Sequence, residues 1–238
     1  MKKIIFFLML IPIFGIAQNN VISTFRVFPK VDKLQEFEKG FIAHVQKYHT
    51  GDWKWNVWEV QSGPQYGSFL VVEGPLSWDQ FDKRGNLGEA HTADWAKNVS
   101  PYTTERGEAS YMEFNASVST VAMTDYADKI LITHMLPKPG KVNGAMSLVT
   151  KLKKVWTESN ESVAVYTGTG SGNPEITTVN RFKNGLKELS DDFRKPMGER
   201  FNKAYGEGAW DYFLDDYSKF IESRWSEILF KRADMSSK

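Results

Sequence analysis

The sequence predicts an α+β protein: two tandem βαββαβ units packed sheet to sheet. Three observations carry that prediction. The same order of strand and helix patterns runs twice along the 238 residues. A shift of 108 positions lays the second run on the first without a gap until the second helix of each. Several strands are apolar on both sides, as in Phe69-Leu70-Val71-Val72, Ile130-Leu131-Ile132 and Val163-Ala164-Val165-Tyr166. Such runs mark sheets covered on both faces.

Residues 21–28 are β-branched and aromatic and stop at Pro29, which reads as a strand. Leu34, Phe37, Phe41, Val45 and Tyr48 then recur at helical spacing, up to Thr50-Gly51. Strands follow over 54–61 and 66–73, with a turn at Ser62-Gly63-Pro64. Ser77 is the N-cap of a second helix, interrupted at Gly85 or Gly88. Residues 108–118 close the first half as a strand. In the second half, strands are expected over 129–136, 162–167, 176–182 and 224–232. Val142, Met146, Val149, Leu152 and Trp156 form its first helical stripe, and 186–220 is helical with glycine breaks. This is the ferredoxin-like order, twice. It divides the chain into residues 18–120 and 121–238.

Met1-Lys2-Lys3, an uncharged run from Ile4 to Ile16, and Gly15-Ile16-Ala17 make the three-part pattern of a secretory signal peptide, residues 1–17. The run is shorter than the ~20 residues of a membrane-spanning helix. The expectation is an exported, periplasmic or secreted protein with no stable membrane insertion after cleavage. Cysteine is absent, which excludes disulfides, thiol catalysis and cysteine-held metals. Thirty Lys+Arg nearly balance 29 Asp+Glu, so nothing calls for nucleic acid. The 16 Phe, 9 Tyr and 8 Trp fall mainly on helix stripes and two-sided strands, as core residues do.

The repeated unit, with Phe28-Pro29-Lys30 and Leu136-Pro137-Lys138 leading into its first helices, resembles the dimeric α/β-barrel superfamily. That group includes antibiotic-biosynthesis-monooxygenase-like domains, EthD-like proteins and haem-handling relatives. The resemblance covers nearly all of the mature chain but is topological. It implies a tandem version, with an intramolecular α/β barrel made inside one chain and a ligand cavity between the sheets, and transfers no catalytic residue.

Arg26 and His134 coincide under the shift, each inside an apolar strand. A buried charge is costly unless paired. If they face the interior, Arg26 holds an anionic group and His134 serves as proton carrier or axial ligand. The alternatives are structural: Arg26 bound to Glu59 or Glu113, and His134 bonded to backbone. Trp53 and Trp55 share one strand face and Trp58 takes the other, opposite Tyr166 under the shift. Glu73 and Arg181 also coincide, as a solvated pair at strand ends. His44 and His49 lie five apart on the first helix, about 140° around its axis, so they do not share a metal. With His91 they read as polar helix and loop histidines, and no metal site is expected. Gly168-Thr169-Gly170-Ser171-Gly172 joins two strands, so it is a hairpin loop rather than a phosphate cradle. The function expected is binding of a small aromatic or apolar ligand by Arg26, Trp58, Glu59, His134 and Tyr166. A cofactor-free or haem-dependent monooxygenase-like enzyme and a self-associating envelope protein are the alternatives. The residues themselves call for no cofactor, and homo-oligomerisation stays open.

Overall fold

The computed structural model describes residues 19–172 and 174–238. Eight strands close into one antiparallel barrel: β1 (Val21–Pro29), β2 (Trp55–Ser62), β3 (Phe69–Leu76), β4 (Thr103–Phe114), β5 (Lys129–Pro137), β6 (Val163–Gly168), β7 (Ile176–Arg181) and β8 (Ile221–Lys231). Their order around the barrel is β1-β3-β2-β8-β5-β7-β6-β4. Each run of four consecutive strands forms one arc with its first strand between its third and fourth. The arcs join edge to edge, through β2–β8 and β4–β6. The expected intramolecular barrel is present, but its two halves meet edge to edge rather than sheet to sheet. Pairing the edges leaves no strand with an open row of N–H and C=O groups, which two stacked sheets would have left.

Among the described residues six α-helices lie outside: α1 (Leu34–Tyr48), α2 (Trp78–Arg84), α3 (Glu89–Asn98), α4 (Val142–Glu158), α5 (Met197–Tyr205) and α6 (Ala209–Phe220). Ser77 caps α2 as expected, accepting from Gln80 N while the Gln80 side chain bonds Ser77 N. Gly206 and Gly208, both at positive φ, separate α5 from α6. Strand starts differ from expectation at β3, β4 and β8, the last beginning at Ile221 rather than Arg224. β3 begins at Phe69 because Gln65–Gly67 form the hairpin turn, with Gly67 at φ 81°. β4 begins at Thr103, where an exposed, charged stretch hides the alternation that marks a strand. The expected signal segment, residues 1–17, lies outside the described residues. Among the described residues no helix is long and apolar enough to cross a membrane.

The two-sided strands supply three cores. Outward Trp55, Val57, Phe69 and Val71 pack on Phe37, Phe41 and Val45 of α1 and on Trp95 of α3. Outward Met135, Val163, Val165 and Ile176 pack on Leu148, Val149 and Trp156 of α4 and on Phe201 and Phe213 of α5 and α6. Inward Trp58, Leu70, Val72, Ile130, Ile132, Ala164, Tyr166 and Leu229 form the third core, inside the barrel. The segment between β4 and β5 enters that interior with Val121, Met123, Tyr126 and Ala127. Burial of this apolar surface contributes about 25 cal/mol per Å².

Candidate functional site

The barrel encloses a cavity of about 90 Å³. Strand alternation supplies most of its wall: Ile22, Thr24 and Arg26 from β1, Leu70 and Val72 from β3, Ile130, Ile132 and His134 from β5, and Thr177, Val179 and Arg181 from β7. Trp58, Met112 and Tyr166 complete the apolar part. Four of the five residues singled out in the sequence, Arg26, Trp58, His134 and Tyr166, therefore line one space. Glu59 does not. It is the outward neighbour of Trp58, and its carboxylate accepts from Arg232 Nη1 at 3.2 Å on the barrel exterior.

Arg26 and His134 meet through Glu227. Arg26 Nη1 donates to Glu227 Oε2 at 3.1 Å, and Nη2 donates to Glu227 Oε1. His134 Nε2 lies 3.0 Å from the same Oε1, and Nδ1 contacts Glu175 Oε1. Thr177 Oγ1 donates to that Glu175 oxygen at 2.8 Å. Trp225 stacks on the His134 ring at 3.8 Å. Neither structural alternative for these residues, Arg26 with Glu59 or Glu113 and His134 with backbone, is realised. Nor is Arg26 available for an anionic ligand. Its guanidinium is occupied by Glu227, whose side chain is 0% exposed, and Glu108 stands 3.8 Å from Nε.

Both His134 nitrogens face carboxylate oxygens, so the ring is held as an imidazolium donating twice. Burial alone would lower its pKa, but the bonds to Glu175 and Glu227 outweigh burial and raise it. Burial pushes Glu175 up, but the bonds from His134 and Thr177 and the charges of His134 and Arg26 together outweigh it, holding the carboxyl below the usual range. Arg26 and His134 thus balance Glu227 and Glu175. Glu108 and Glu175 are the more exposed members and form the mouth. Burial pushes the Tyr166 phenol up to about 12.

Arg181 fixes the opposite part of the wall. Its guanidinium donates to the carbonyls of Ala122 and Met123 at 2.7 and 2.8 Å, to that of Asp125, and to Tyr166 Oη at 3.3 Å. It thereby clamps the 121–127 segment inside the barrel. Glu73 is equally buried but turned outward, where Trp55 Nε1 donates to it at 2.7 Å and Arg84 pairs with it. The expected solvated Glu73–Arg181 pair does not form, because alternation sends the two side chains to opposite faces of the wall.

Sequence reasoning missed Glu227 and Glu175. Glu227 had a signal, since it shares a strand face with Leu229 in an otherwise apolar-facing register. Glu175 had none, lying beside the glycine-rich loop that joins β6 to β7. The histidines differ more sharply. His44, His49 and His91 converge, and the first two are fully buried. The rings meet because α1 ends at Tyr48: His49 is its C-cap, with φ −106° and ψ 70°, so the 140° between two helical positions does not apply to it. Burial, with His44 and His91 adjacent, pushes the His49 imidazole down to about 3.

The superfamily's haem-handling members call for a test of haem at this site, and the residues do not fit it. Both His134 nitrogens are engaged, leaving none for an axial bond. A cavity of about 90 Å³ is also too small for a porphyrin macrocycle.

No protein-family model matches the chain, and neither does any curated protein. Solved structures do. An anthrone oxidase-like protein superposes with a TM-score of 0.58 at 11% identity, over 90% of this chain and 92% of its own. A candidate monooxygenase from Fusobacterium nucleatum subsp. nucleatum gives 0.56 at 10% identity, over 89% and 91%. A chlorite dismutase mutant from Candidatus Nitrospira defluvii gives 0.52 at 8% identity, over 90% and 92%. At 8–11% identity these likenesses establish the fold alone: the chain is an α+β antiparallel barrel of the kind these monooxygenase, oxidase-like and chlorite dismutase structures share, as the resemblance to the dimeric α/β-barrel superfamily implied.

Proposed function

We propose that the barrel interior binds a small, neutral, largely apolar ligand of one ring or less that carries a hydrogen-bond donor. One observation carries this reading. An apolar cavity of about 90 Å³ ends at a polar set whose cations are internally paired, leaving carboxylate oxygens of Glu175 and Glu108 at its mouth. Carboxylates accept and do not donate. They favour a hydroxyl or amine and disfavour an anion. The apolar body rests against Trp58, Ile132, Val179 and Tyr166. Phenol, with seven heavy atoms, is the simplest probe. At ordinary ligand efficiencies it binds with a Kd of about 0.1–1 mM.

Titration calorimetry tests the reading. Phenol binds wild type, benzoate binds at least tenfold more weakly, Val179→Phe abolishes binding by filling the cavity, and Glu59→Gln leaves it unchanged. Equal affinity for phenol and benzoate, or phenol binding that survives Val179→Phe, rejects it.

A monooxygenase-like activity is the second reading. It is supported by His134 held between two carboxylates beside an apolar space, and by structural neighbours named as a monooxygenase and an anthrone oxidase-like protein. The Glu175 carboxylate would then accept the proton of the bound hydroxyl, with His134, Glu227 and Arg26 balancing the charge behind it. We further propose that residues 1–17 direct export and are removed. The chain then functions as the tandem units 18–120 and 121–238. N-terminal sequencing of protein recovered from the cell envelope, starting at Gln18, is the expected result; an intact Met1 overturns it.

A further inference from the structure

We propose that His44, His49 and His91 form a binding site for a divalent cation of the zinc class, on the outside of the barrel where α3 meets the end of α1. His44 comes from the last turns of α1, His49 from its C-cap, and His91 from the first turn of α3. One ligating nitrogen from each lies within 4.8 Å of the others. Nε2 of His49 and Nε2 of His91 stand 3.3 Å apart. Two nitrogens bound to one tetrahedral zinc, at about 2.0–2.1 Å each, stand about 3.3 Å apart.

The rings are already oriented as metal ligands are. Asp94 Oδ2 holds His44 Nδ1 at 2.8 Å, and Asn98 Nδ2 donates to the other Asp94 oxygen at 3.0 Å. Such a carboxylate fixes the tautomer with the proton on Nδ1 and leaves the Nε2 lone pair free to bind metal. That Nε2 is fully buried and has no hydrogen-bond partner. On the other side, Glu73 Oε2 lies 3.9 Å from His49 Nδ1, which is also buried and unpartnered. The Trp55 ring stacks on His49 at 3.3 Å and prevents it from turning away. Leaving buried polar atoms unpaired costs stability. A cation at the centre of the three rings would satisfy His44 Nε2 and let His49 Nδ1 donate to Glu73.

The donor set selects the cation. Three imidazoles suit zinc, copper or nickel, whereas magnesium and calcium require oxygen ligands. His91 is the most exposed of the three and gives the entry path, so the fourth position falls to water on its side. Bound there, the metal ties α3 to the end of α1.

The full folded chain, stripped of metal by chelator, is titrated with Co²⁺ and followed by visible d–d absorption, then displaced with Zn²⁺. The expected result is one equivalent per chain with the intense bands of a tetrahedral site. His91→Ala weakens binding at least tenfold, and Asp94→Asn weakens it about 10–100-fold. His134→Gln leaves it unchanged. His91 and Asp94 are partly exposed, so both variants are expected to keep the wild-type circular dichroism. No stoichiometric uptake by folded wild type, or uptake that is indifferent to His91→Ala, overturns the proposal.

Discussion

Replacing Arg26 by methionine removes the cation that pairs with Glu227 across the barrel. The Arg26 side chain is 4% exposed and that of Glu227 is 0%, so water cannot take over the lost bonds. The substitution keeps most of the side-chain volume and leaves one buried imidazolium, His134, shared by two carboxylates. Breaking a buried pair by removing one partner costs about 3–5 kcal/mol. With an m-value of about 2 kcal/mol/M, the urea midpoint falls by about 1.5–2.5 M. The double variant Arg26→Met/Glu227→Met removes both charges and leaves His134 with Glu175 alone. It recovers at least about 2 kcal/mol relative to the sum of the single variants. Urea unfolding followed by fluorescence and circular dichroism, at constant m, measures all corners of the cycle. A single-variant loss below about 1 kcal/mol, or strict additivity, refutes the network as described.

The stability that His134→Gln removes depends on pH in a defined window. The folded pKa of His134 is raised, so its contribution is complete below about 6.5 and is lost as pH rises through the folded value. The folded pKa of Glu175 is lowered, so its contribution is present above about 4.5 and is lost at lower pH. The wild-type advantage over His134→Gln is therefore widest between about pH 4.5 and 6.5; an advantage that grows toward pH 9 contradicts this. Gly40→Ala places a methyl 1.8 Å from the Asn98 carbonyl oxygen, which forces α3 off α1. Its cost of about 1–3 kcal/mol lowers Tm by about 2–12 °C and weakens metal uptake; an unchanged Tm contradicts the close helix contact.

The strands were legible where both faces are packed. Phe69 to Val72 and Val163 to Tyr166 show continuous apolar runs because helices cover one side and the barrel interior the other. Arg26 and His134 were legible as charges misplaced in such runs. What completes them was not. Glu227 reaches Arg26 across the barrel from β8, and no local pattern reports a contact between residues 201 apart. The closure itself depends on β2–β8 and β4–β6, pairings that join strands from opposite halves of the chain. His49 was misplaced by a single residue of helix, since an angle around a helix axis has no meaning beyond the last helical turn.

The most direct measurement is a crystal structure of the protein soaked with phenol. The account predicts ring density inside the barrel between Trp58, Ile132 and Tyr166, with the phenol oxygen within hydrogen-bond distance, about 2.5–3.0 Å, of a Glu175 or Glu108 oxygen. An interior without added density at saturating phenol, or a ring bound only on the outer helical layers, contradicts it.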